Sequence, residues 1–317
     1  MATPMSICVL GGTGFVGTEL VTRLVGNGHW VRVPTRSPSH GQHLRVLSTV
    51  ELVTANIHDP RTLGQLLGGM DAVINLVGIL NQSGRATFHA VHVDLAAKLI
   101  AAARNAKVRR LLQMSAAGAD RERGPSRYLR SKGEAEELIR AAAAHLDFTI
   151  FRPSVIFGPR DSLANRFATL LRLSGGVMPL ARSQARFQPI YVGDVTDAFI
   201  RTLDRPESFG QTYELCGPDV LTLEQLVRMT AAVAQLPCHI LRLPDALGWL
   251  QAMLLGLLPG KPFSLDNFRS LSVDSVCQRD GLARLGISPR HLMAVLPFYL
   301  GPFTASIELS AARKTDA

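Results

Sequence analysis

A tyrosine and a lysine, Tyr128 and Lys132, are spaced so that both side chains fall on one face of a helix. A phenol that can transfer a proton, next to an ammonium that favours its phenolate form, suits general acid–base catalysis. Ser115 precedes them at the end of a predicted strand, where its hydroxyl could bond a substrate carbonyl or hydroxyl oxygen. We predict that Ser115, Tyr128 and Lys132 form a catalytic set in which Lys132 also holds a ribose hydroxyl.

A glycine-rich turn follows the apolar stretch Ile7–Leu10 and precedes a helical pattern. In that context Gly11 permits the tight turn, Gly14 lets backbone N–H groups approach a pyrophosphate, and Gly17 lets the helix pack close to the sheet. A helix N-terminus adds partial positive charge toward the phosphates. The run therefore predicts a dinucleotide site formed by Gly11, Thr13, Gly14, Phe15, Val16 and Gly17.

Arg36 ends the second predicted strand, in the zone where NAD-binding proteins carry an acidic residue for the ribose hydroxyls. An arginine there can pair with a 2′-phosphate, with help from Ser37 and from Arg32 or Arg45. We therefore predict NADP(H) as cofactor, with NAD(H) less favoured.

Further candidate cofactor residues come at the ends of the third and fourth predicted strands. Asn56 and Ile57 are placed to bracket the adenine, and Leu76, Val77 and Gly78 to lie along the nicotinamide-side ribose. Parallel sheets bind ligands at the carboxyl ends of their strands, so these residues are expected to line one crevice.

Strand and helix patterns alternate through the first half of the chain, which predicts a doubly wound α/β fold with a parallel sheet. After Pro153 helical patterns dominate, and the extended segments 187–192 and 211–215 are expected to return to the main sheet. We predict a Rossmann domain at 1–156 and a smaller, mostly helical substrate or partner part at 157–317. The polar tail after residue 305 is expected to fray.

The composition limits which classes of function the chain can have. The chain has 317 residues and a net charge of +9, but only 6% aromatic residues and no sustained basic run, so no nucleic-acid partner is expected. Four scattered cysteines, the first predicted strand close to the N-terminus, and the absence of a long apolar run predict reduced thiols and a cytoplasmic protein.

Two other segments have competing interpretations. His89, His92 and Asp94 fall within a helical pattern and lack further ligands, so no metal site is predicted. Residues 246–258 are almost wholly apolar and are flanked by Arg242 and Lys261. They form either a buried helix or an interfacial helix that meets a partner or the inner face of the membrane.

Taken together, these motifs resemble the short-chain dehydrogenase/reductase superfamily in its extended or atypical branch. The segment Arg152–Pro159 is similar to the stretch that covers the nicotinamide in extended members, which implies cofactor contacts from Pro153 and Val155. More narrowly, Val73–Leu80, Tyr128–Glu136 and Gly260–Asn267 resemble bacterial relatives of the NADPH-binding accessory subunit of respiratory complex I.

This resemblance implies an NADPH-dependent oxidoreductase that acts on a small molecule or a quinone-related compound, with a possible respiratory-chain partner. Two alternatives stay open: a non-enzymatic NADPH-binding accessory or assembly subunit of complex I, and a nucleotide-sugar epimerase or dehydratase.

Overall fold

The computed structural model describes residues 3–301, so the tail after residue 305 lies outside the described residues. The strands are β1 (Ser6–Leu10), β2 (Trp30–Thr35), β3 (Val50–Thr54), β4 (Ala72–Asn75), β5 (Arg110–Met114), β6 (Asp147–Pro153), β7 (Ile156–Phe157), β8 (Val177–Ala181), β9 (Arg186–Phe187), β10 (Ile190–Tyr191), β11 (Gln211–Leu215), β12 (Leu221–Thr222) and β13 (His239–Leu243). The helices are α1 (Phe15–Gly26), α2 (Pro60–Leu67), α3 (Leu95–Asn105), α4 (Arg127–Ala141), α5 (Ala164–Leu173), α6 (Val192–Thr202), α7 (Leu223–Val233), α8 (Asp245–Leu255), α9 (Leu265–Ser270), α10 (Gly281–Arg284), α11 (Leu292–Val295) and α12 (Pro297–Leu300).

The chain divides into two compact units. The first runs to Pro153 and also contains Gly193–Leu215 and Gln278–Ile287. The second contains Ser154–Val192, Cys216–Cys277 and the described residues from Ser288 onward.

The first unit is built on a parallel sheet of seven strands in the order β11-β6-β5-β4-β1-β2-β3. This confirms the predicted doubly wound α/β fold with a parallel sheet. Strand order reverses between β1 and β4, which are paired with Leu10 opposite Asn75. Such a reversal leaves a crevice at the carboxyl ends of the two strands, where ligands bind in this architecture.

Helices cover both faces of this sheet because alternate strand residues point to opposite sides. Cys8 and Leu10 of β1 pack with leucines of α2 and α3 and with Ile139 of α4. On the other face, the Phe151 ring of β6 packs against the Phe199 ring of α6 at a tilt of 34°, with ring centroids 4.1 Å apart.

The second unit contains three two-stranded ladders among its helices. Two are parallel, β7 with β10 and β8 with β13, and one is antiparallel, β9 with β12. The prediction that 211–215 joins the main sheet is confirmed, whereas that for 187–192 is wrong. The backbone of the latter segment is bonded within the second unit, for example from Ile190 N–H to the Val155 carbonyl.

A disulfide joins Cys216 to Cys277, with Cα atoms 6.0 Å apart. The expectation that all thiols are reduced is therefore wrong for this pair, which lies 61 residues apart in sequence. Cys8 and Cys238 are free thiols. Sequence spacing could not reveal the pairing, because only folding brings these two cysteines together.

Candidate functional site

The turn between β1 and α1 forms a cradle that side chains would fill. A Cβ atom at Gly17 would lie 2.2 Å from the Gly11 carbonyl oxygen, and Gly11 itself has a φ of +81°. Both positions therefore require glycine. Gly14, exposed at the N-cap of α1, provides no side-chain cap for the first helical N–H groups. Thr13, Phe15 and Val16 are half-buried around it. The residues present thus fit a pyrophosphate.

The loop after β4 lies directly against this cradle. A Cβ atom at Gly11 would be 3.3 Å from the Val77 backbone nitrogen. Asn75 shapes the loop, because its Oδ1 accepts the Val77 N–H at 3.1 Å while its amide donates to Gln113 at 2.9 Å. Leu76 is half-buried and Gly78 exposed. The structure therefore brings Leu76, Val77 and Gly78 to the crevice where they were predicted.

The segment after β2 reaches the same cradle, since a Cβ atom at Gly41 would lie 3.2 Å from Thr13 Cγ2. Arg36 is exposed, and the Ser37 hydroxyl lies 2.8 Å from that of Ser39. The Arg32 guanidinium, which was expected to help, has other partners: it pairs with Glu51 at 2.7 Å and donates to the Leu66 and Gly68 carbonyls.

Asn56 and Ile57 follow β3. Lys98, a cation close to them, was not identified from the sequence. Lys98 of α3 donates to the His58 carbonyl at 3.0 Å. The pKa of His58 is lowered by burial, and further by the positive charges of Lys98 and Arg36. Lys98 and Arg36 therefore contribute positive potential at the ends of β2 and β3. Lys98 had no local signal, because it approaches the site only when α3 packs.

Tyr128 and Lys132 share one face of α4, as predicted. The Lys132 ammonium is buried and donates to the Met114 carbonyl at 3.2 Å. It also reaches the loop after β4, since a Cβ atom at Gly78 would lie 3.2 Å from the Lys132 Nζ. Burial lowers the pKa of Lys132 to about 8 and raises the pKa of Tyr128 to about 12. The expected lowering of the tyrosine pKa is thus wrong for these surroundings, where desolvation dominates.

Ser115 has a different partner from the one expected. Its hydroxyl donates to Glu136 at 2.5 Å. This fully buried carboxylate also accepts two bonds from Arg152, at 2.8 and 2.6 Å, and one from Arg140 at 2.8 Å. The Ser115 proton is therefore held by a carboxylate rather than directed toward Tyr128. Glu136 was missed, although it follows Lys132 by four residues on the same helix face.

His92 belongs to a π-helical turn, His89–Asp94, and links the loop after β4 to α4. Its Nε2 accepts the Ile79 N–H at 3.2 Å, so Nδ1 carries the proton and donates to Ser131 Oγ at 2.8 Å. Ser131 in turn donates to the Tyr128 carbonyl at 2.8 Å. Burial, followed by Lys132, lowers the pKa of His92 to about 2, so the ring stays neutral.

The Tyr128 ring is held by two aromatic neighbours from the same part of the chain. His92 lies edge-on to it at 5.6 Å and Phe88 at 5.9 Å between ring centroids. Phe88 and His92 also stack on each other at 5.8 Å. The helical pattern indicated none of these contacts, because they depend on the widened turn of the π-helix.

The two remaining predicted cofactor residues fall in different units. Pro153 ends β6 in the first unit, and its carbonyl accepts the Ala117 N–H at 2.8 Å. Val155 is half-buried in the second unit, where its carbonyl accepts the Ile190 N–H at 3.0 Å. Their contact with a cofactor stays a prediction.

The histidines considered as metal ligands have other partners. His89 lies 3.1 Å from Asp94 in an exposed pair, and His92 is bonded as described above. Within residues 3–301, no three histidine, cysteine or acidic side chains are grouped so that they could hold a metal ion.

Comparison with known proteins identifies relatives of several kinds. The chain is 30% identical to subunit 9 of the NADH dehydrogenase [ubiquinone] 1 alpha subcomplex, mitochondrial, of Arabidopsis thaliana, over 86% of this chain and 71% of that protein. It is 30% identical to a ceramide reductase of Caulobacter vibrioides over 75% of this chain and 74% of that one. Among solved structures, MoeE5 in complex with UDP-glucuronic acid and NAD superposes with a TM-score of 0.73 at 19% identity, covering 93% and 97% of the two chains.

The family model that matches this chain spans β1 to the end of β11 and hence every element of the candidate site in the first unit. It is described as the NAD dependent epimerase/dehydratase family and matches residues 7–216, more than half of the chain. The protein belongs to the NAD dependent epimerase/dehydratase family.

Proposed function

We propose that this protein is an NADP(H)-dependent oxidoreductase. The observation that carries the proposal is the Tyr128–Lys132 pair on α4, with the Lys132 ammonium directly at Gly78 of the loop that borders the glycine cradle. The proposal is supported by a phenol and a buried ammonium on one face of α4, with the ammonium beside the loop after β4.

The preference for NADP(H) over NAD(H) follows from the side chains after β2. Arg36 and Ser37 replace an acidic residue that would repel a 2′-phosphate, and Lys98 adds positive charge at the end of β3. A charged hydrogen bond to phosphate is worth about 1.5–3 kcal/mol. We infer that Arg36 supplies most of the discrimination between the two cofactors.

A reduced nicotinamide, when bound, supplies a hydride to an electrophilic carbon of the substrate. Tyr128 would then deliver its phenolic proton to the oxygen that gains negative charge. Lys132 would stabilise the phenolate left behind and hold a ribose hydroxyl. The pKa of Lys132, about 8, lets it carry its proton at neutral pH.

The substrate class is inferred from the relatives. A matching Neurospora crassa protein is named NADH-ubiquinone oxidoreductase 40 kDa subunit, and another relative is named a ceramide reductase. We propose a quinone-related or lipid-like carbonyl compound as substrate and a respiratory-chain partner. The protein would act on the cytoplasmic side, peripheral to the inner face of the membrane. None of the described helices has the length and apolar character needed to cross a bilayer.

Replacing Tyr128 by phenylalanine tests the proposed chemistry. We expect Tyr128→Phe to remove most NADPH-dependent turnover, about 10²-fold or more, while NADPH still binds, because only the transferable proton is lost. Turnover is followed by NADPH absorbance with short-chain quinones and carbonyl compounds, and binding by NADPH fluorescence. Full activity in Tyr128→Phe would contradict the assignment.

A second candidate function, a non-enzymatic NADPH-binding accessory subunit, is favoured by the Ser115–Glu136 bond. That bond holds the hydroxyl expected to orient a substrate at 2.5 Å from a buried carboxylate. Mass spectrometry of the ligand that co-purifies with native protein separates the two functions. Tightly held NADPH that no substrate oxidises supports the accessory role, whereas exchange and turnover support the enzyme.

A further inference from the structure

Helix α8 orients its side chains in the reverse of the usual manner. Surface helices normally bury their large apolar residues and expose their polar ones. In α8 the buried positions are Gly248 and Ala252. Gly248 packs so closely that a Cβ atom there would lie 2.8 Å from Ala181 Cβ and 3.0 Å from the Phe268 ring. The small residues therefore face the protein, and the large ones are left outside.

The outward side of α8 and the turn after it form a continuous apolar patch, which we call the α8 surface. It consists of Leu247 (50% exposed), Trp249 (47%), Leu250 (41%), Met253 (37%), Leu254 (54%), Leu257 (80%) and Leu258 (49%). Exposed apolar groups in this number mark a surface that meets a partner or a membrane. Of the alternatives left open by the sequence, a wholly buried helix is wrong for this side.

The α8 surface offers almost no directional hydrogen bonding. Residues 246–260 contain no charged side chain, and their polar side chains are limited to Gln251 and the Trp249 indole. The Gln251 amide already donates to the Pro179 carbonyl at 2.9 Å. Protein–protein interfaces generally carry about one hydrogen bond per 100–200 Å², whereas acyl chains require none.

Charged groups border the α8 surface at both ends. Arg182 pairs with Asp245 at the start of α8, and Arg242 of β13 pairs with Glu224. Beyond the helix, Arg166 donates to the Pro262 carbonyl next to Lys261. Basic residues outnumber acidic ones among these groups: Arg166, Arg182, Arg242 and Lys261 against Glu224 and Asp245.

We propose that the α8 surface inserts its apolar side chains into the headgroup–acyl boundary of an anionic phospholipid bilayer. Apolar side chains without hydrogen-bonding groups, an indole among them, and a cationic border are the features of a helix that lies in the plane of such an interface. The proposal rests on the peripheral membrane location given in the proposed function, names the surface that makes the contact, and uses none of the proposed cofactor-binding or catalytic residues.

Vesicle binding of the full-length protein tests this. We expect sedimentation with phosphatidylglycerol-containing vesicles, weaker binding to phosphatidylcholine vesicles, and weaker binding to the anionic vesicles at high salt. Leu254→Glu with Leu257→Glu should lower the partition coefficient at least about tenfold. The matched control, Trp30→Glu with Val46→Glu, changes two exposed apolar residues of the first unit, 60% and 84% exposed, and should bind as the wild type does.

Tryptophan fluorescence locates the contact. The chain has two tryptophans, so Trp30→Phe leaves Trp249 as the single reporter. Its emission should shift to the blue on vesicle addition and be quenched by brominated lipids. Thermal melts check that each variant is folded, and the single variant Leu257→Glu, in the turn after α8, serves if the double variant is not.

Several results would overturn the proposal. These are the absence of vesicle binding by the wild type, equal binding by a folded Leu257→Glu variant, and a Trp249 emission unchanged by vesicles. Sedimentation equilibrium without lipid adds another: a wild-type dimer that the substitutions convert to a monomer assigns the surface to a second copy. NADPH affinity and turnover, measured in parallel, should be unchanged by the α8 substitutions, so failure here removes the proposed membrane location and leaves the proposed oxidoreductase activity standing.

Discussion

Glu136 is the residue on which the candidate site around Ser115 and Lys132 depends electrostatically. Its carboxylate is fully buried and shared by Ser115, Arg140 and Arg152. Lys132, one helical turn earlier, is left with the Met114 carbonyl as its hydrogen-bond acceptor. Burial consequently lowers the pKa of Lys132 to about 8, with Glu136 opposing the shift. The ammonium is thus available to a ribose or a phenolate.

Removing the Arg36 guanidinium should change cofactor choice. Arg36→Ala is expected to weaken NADPH binding roughly tenfold or more and to leave NADH binding nearly unchanged, because only NADPH carries the 2′-phosphate. Fluorescence titration with both cofactors measures this. Arg61→Ala, an exposed arginine of α2, controls for the lost charge. Equal losses for NADPH and NADH would show that Arg36 does not recognise the phosphate.

His92 should support cofactor binding through the Ile79 N–H. We expect His92→Phe to keep a ring beside Tyr128 but to leave that partly buried donor unpaired, at a cost of about 1 kcal/mol in stability. NADPH affinity should fall because the loop from Leu76 to Ile79 loosens. Ser131→Ala removes the His92–Ser131 bond and the bond from Ser131 to the Tyr128 carbonyl but keeps the bond between His92 and the Ile79 N–H, so it should spare NADPH affinity. An unchanged NADPH affinity in His92→Phe would show that the loop is held without His92.

At the scale of elements, the Cys216–Cys277 bond closes a loop that contains α7, α8 and α9. The denatured wild-type protein should expose two reactive thiols, those of Cys8 and Cys238, and four after reduction. Reduction should lower the free energy of unfolding of the second unit by up to about 4 kcal/mol in the chain-entropy description. Cys216→Ser with Cys277→Ser should reproduce that loss and be insensitive to reductant.

The same thiol titration examines the location inferred from cysteine spacing. A reducing cytoplasm keeps most thiols free. Four reactive thiols in protein denatured directly from cells under alkylating conditions would contradict the disulfide in vivo, whereas two would contradict a fully reduced state.

At the scale of the whole molecule, burial of Lys132 makes global stability depend on pH. Its pKa is about 8 in the folded protein, against 10.5 for an ordinary lysine side chain. Below about pH 8 both states carry the charge, and the folded state bears the full cost of burying it. Between about pH 8 and about pH 10.5 the unfolded state binds more protons than the folded state. The free energy of unfolding therefore rises with pH until the cost of burying the charge disappears above about pH 10.5.

Lys132→Met should therefore stabilise the protein most at low pH. Relative to the wild type, its gain in unfolding free energy should shrink by on the order of 3 kcal/mol between about pH 7 and about pH 10.5. Urea unfolding at both pH values, without added cofactor, measures the difference. A gain independent of pH would show that Lys132 is not desolvated in the folded protein.

The sequence by itself determined the parallel sheet, the glycine cradle, the alternation of strands and helices in the first half of the chain, and the shared face of Tyr128 and Lys132. These features depend on local periodicity and on glycine at sterically closed positions, and both can be read from neighbouring residues. Only the tertiary structure decided the partners of the polar side chains. The Ser115–Glu136 bond, the Arg32–Glu51 pair, Lys98 near His58, the His92 contacts and the Cys216–Cys277 bond join residues from separate elements.

Which side of α8 is exposed was also determined only by the tertiary structure. An apolar run predicts a helix that avoids water, but it does not say which side of the helix the protein covers. Gly248 and Ala252 fit closely against Ala181 and Phe268, and that fit turns the leucines and Trp249 outward. Packing is a property of two surfaces together, and a single segment of sequence describes only one of them.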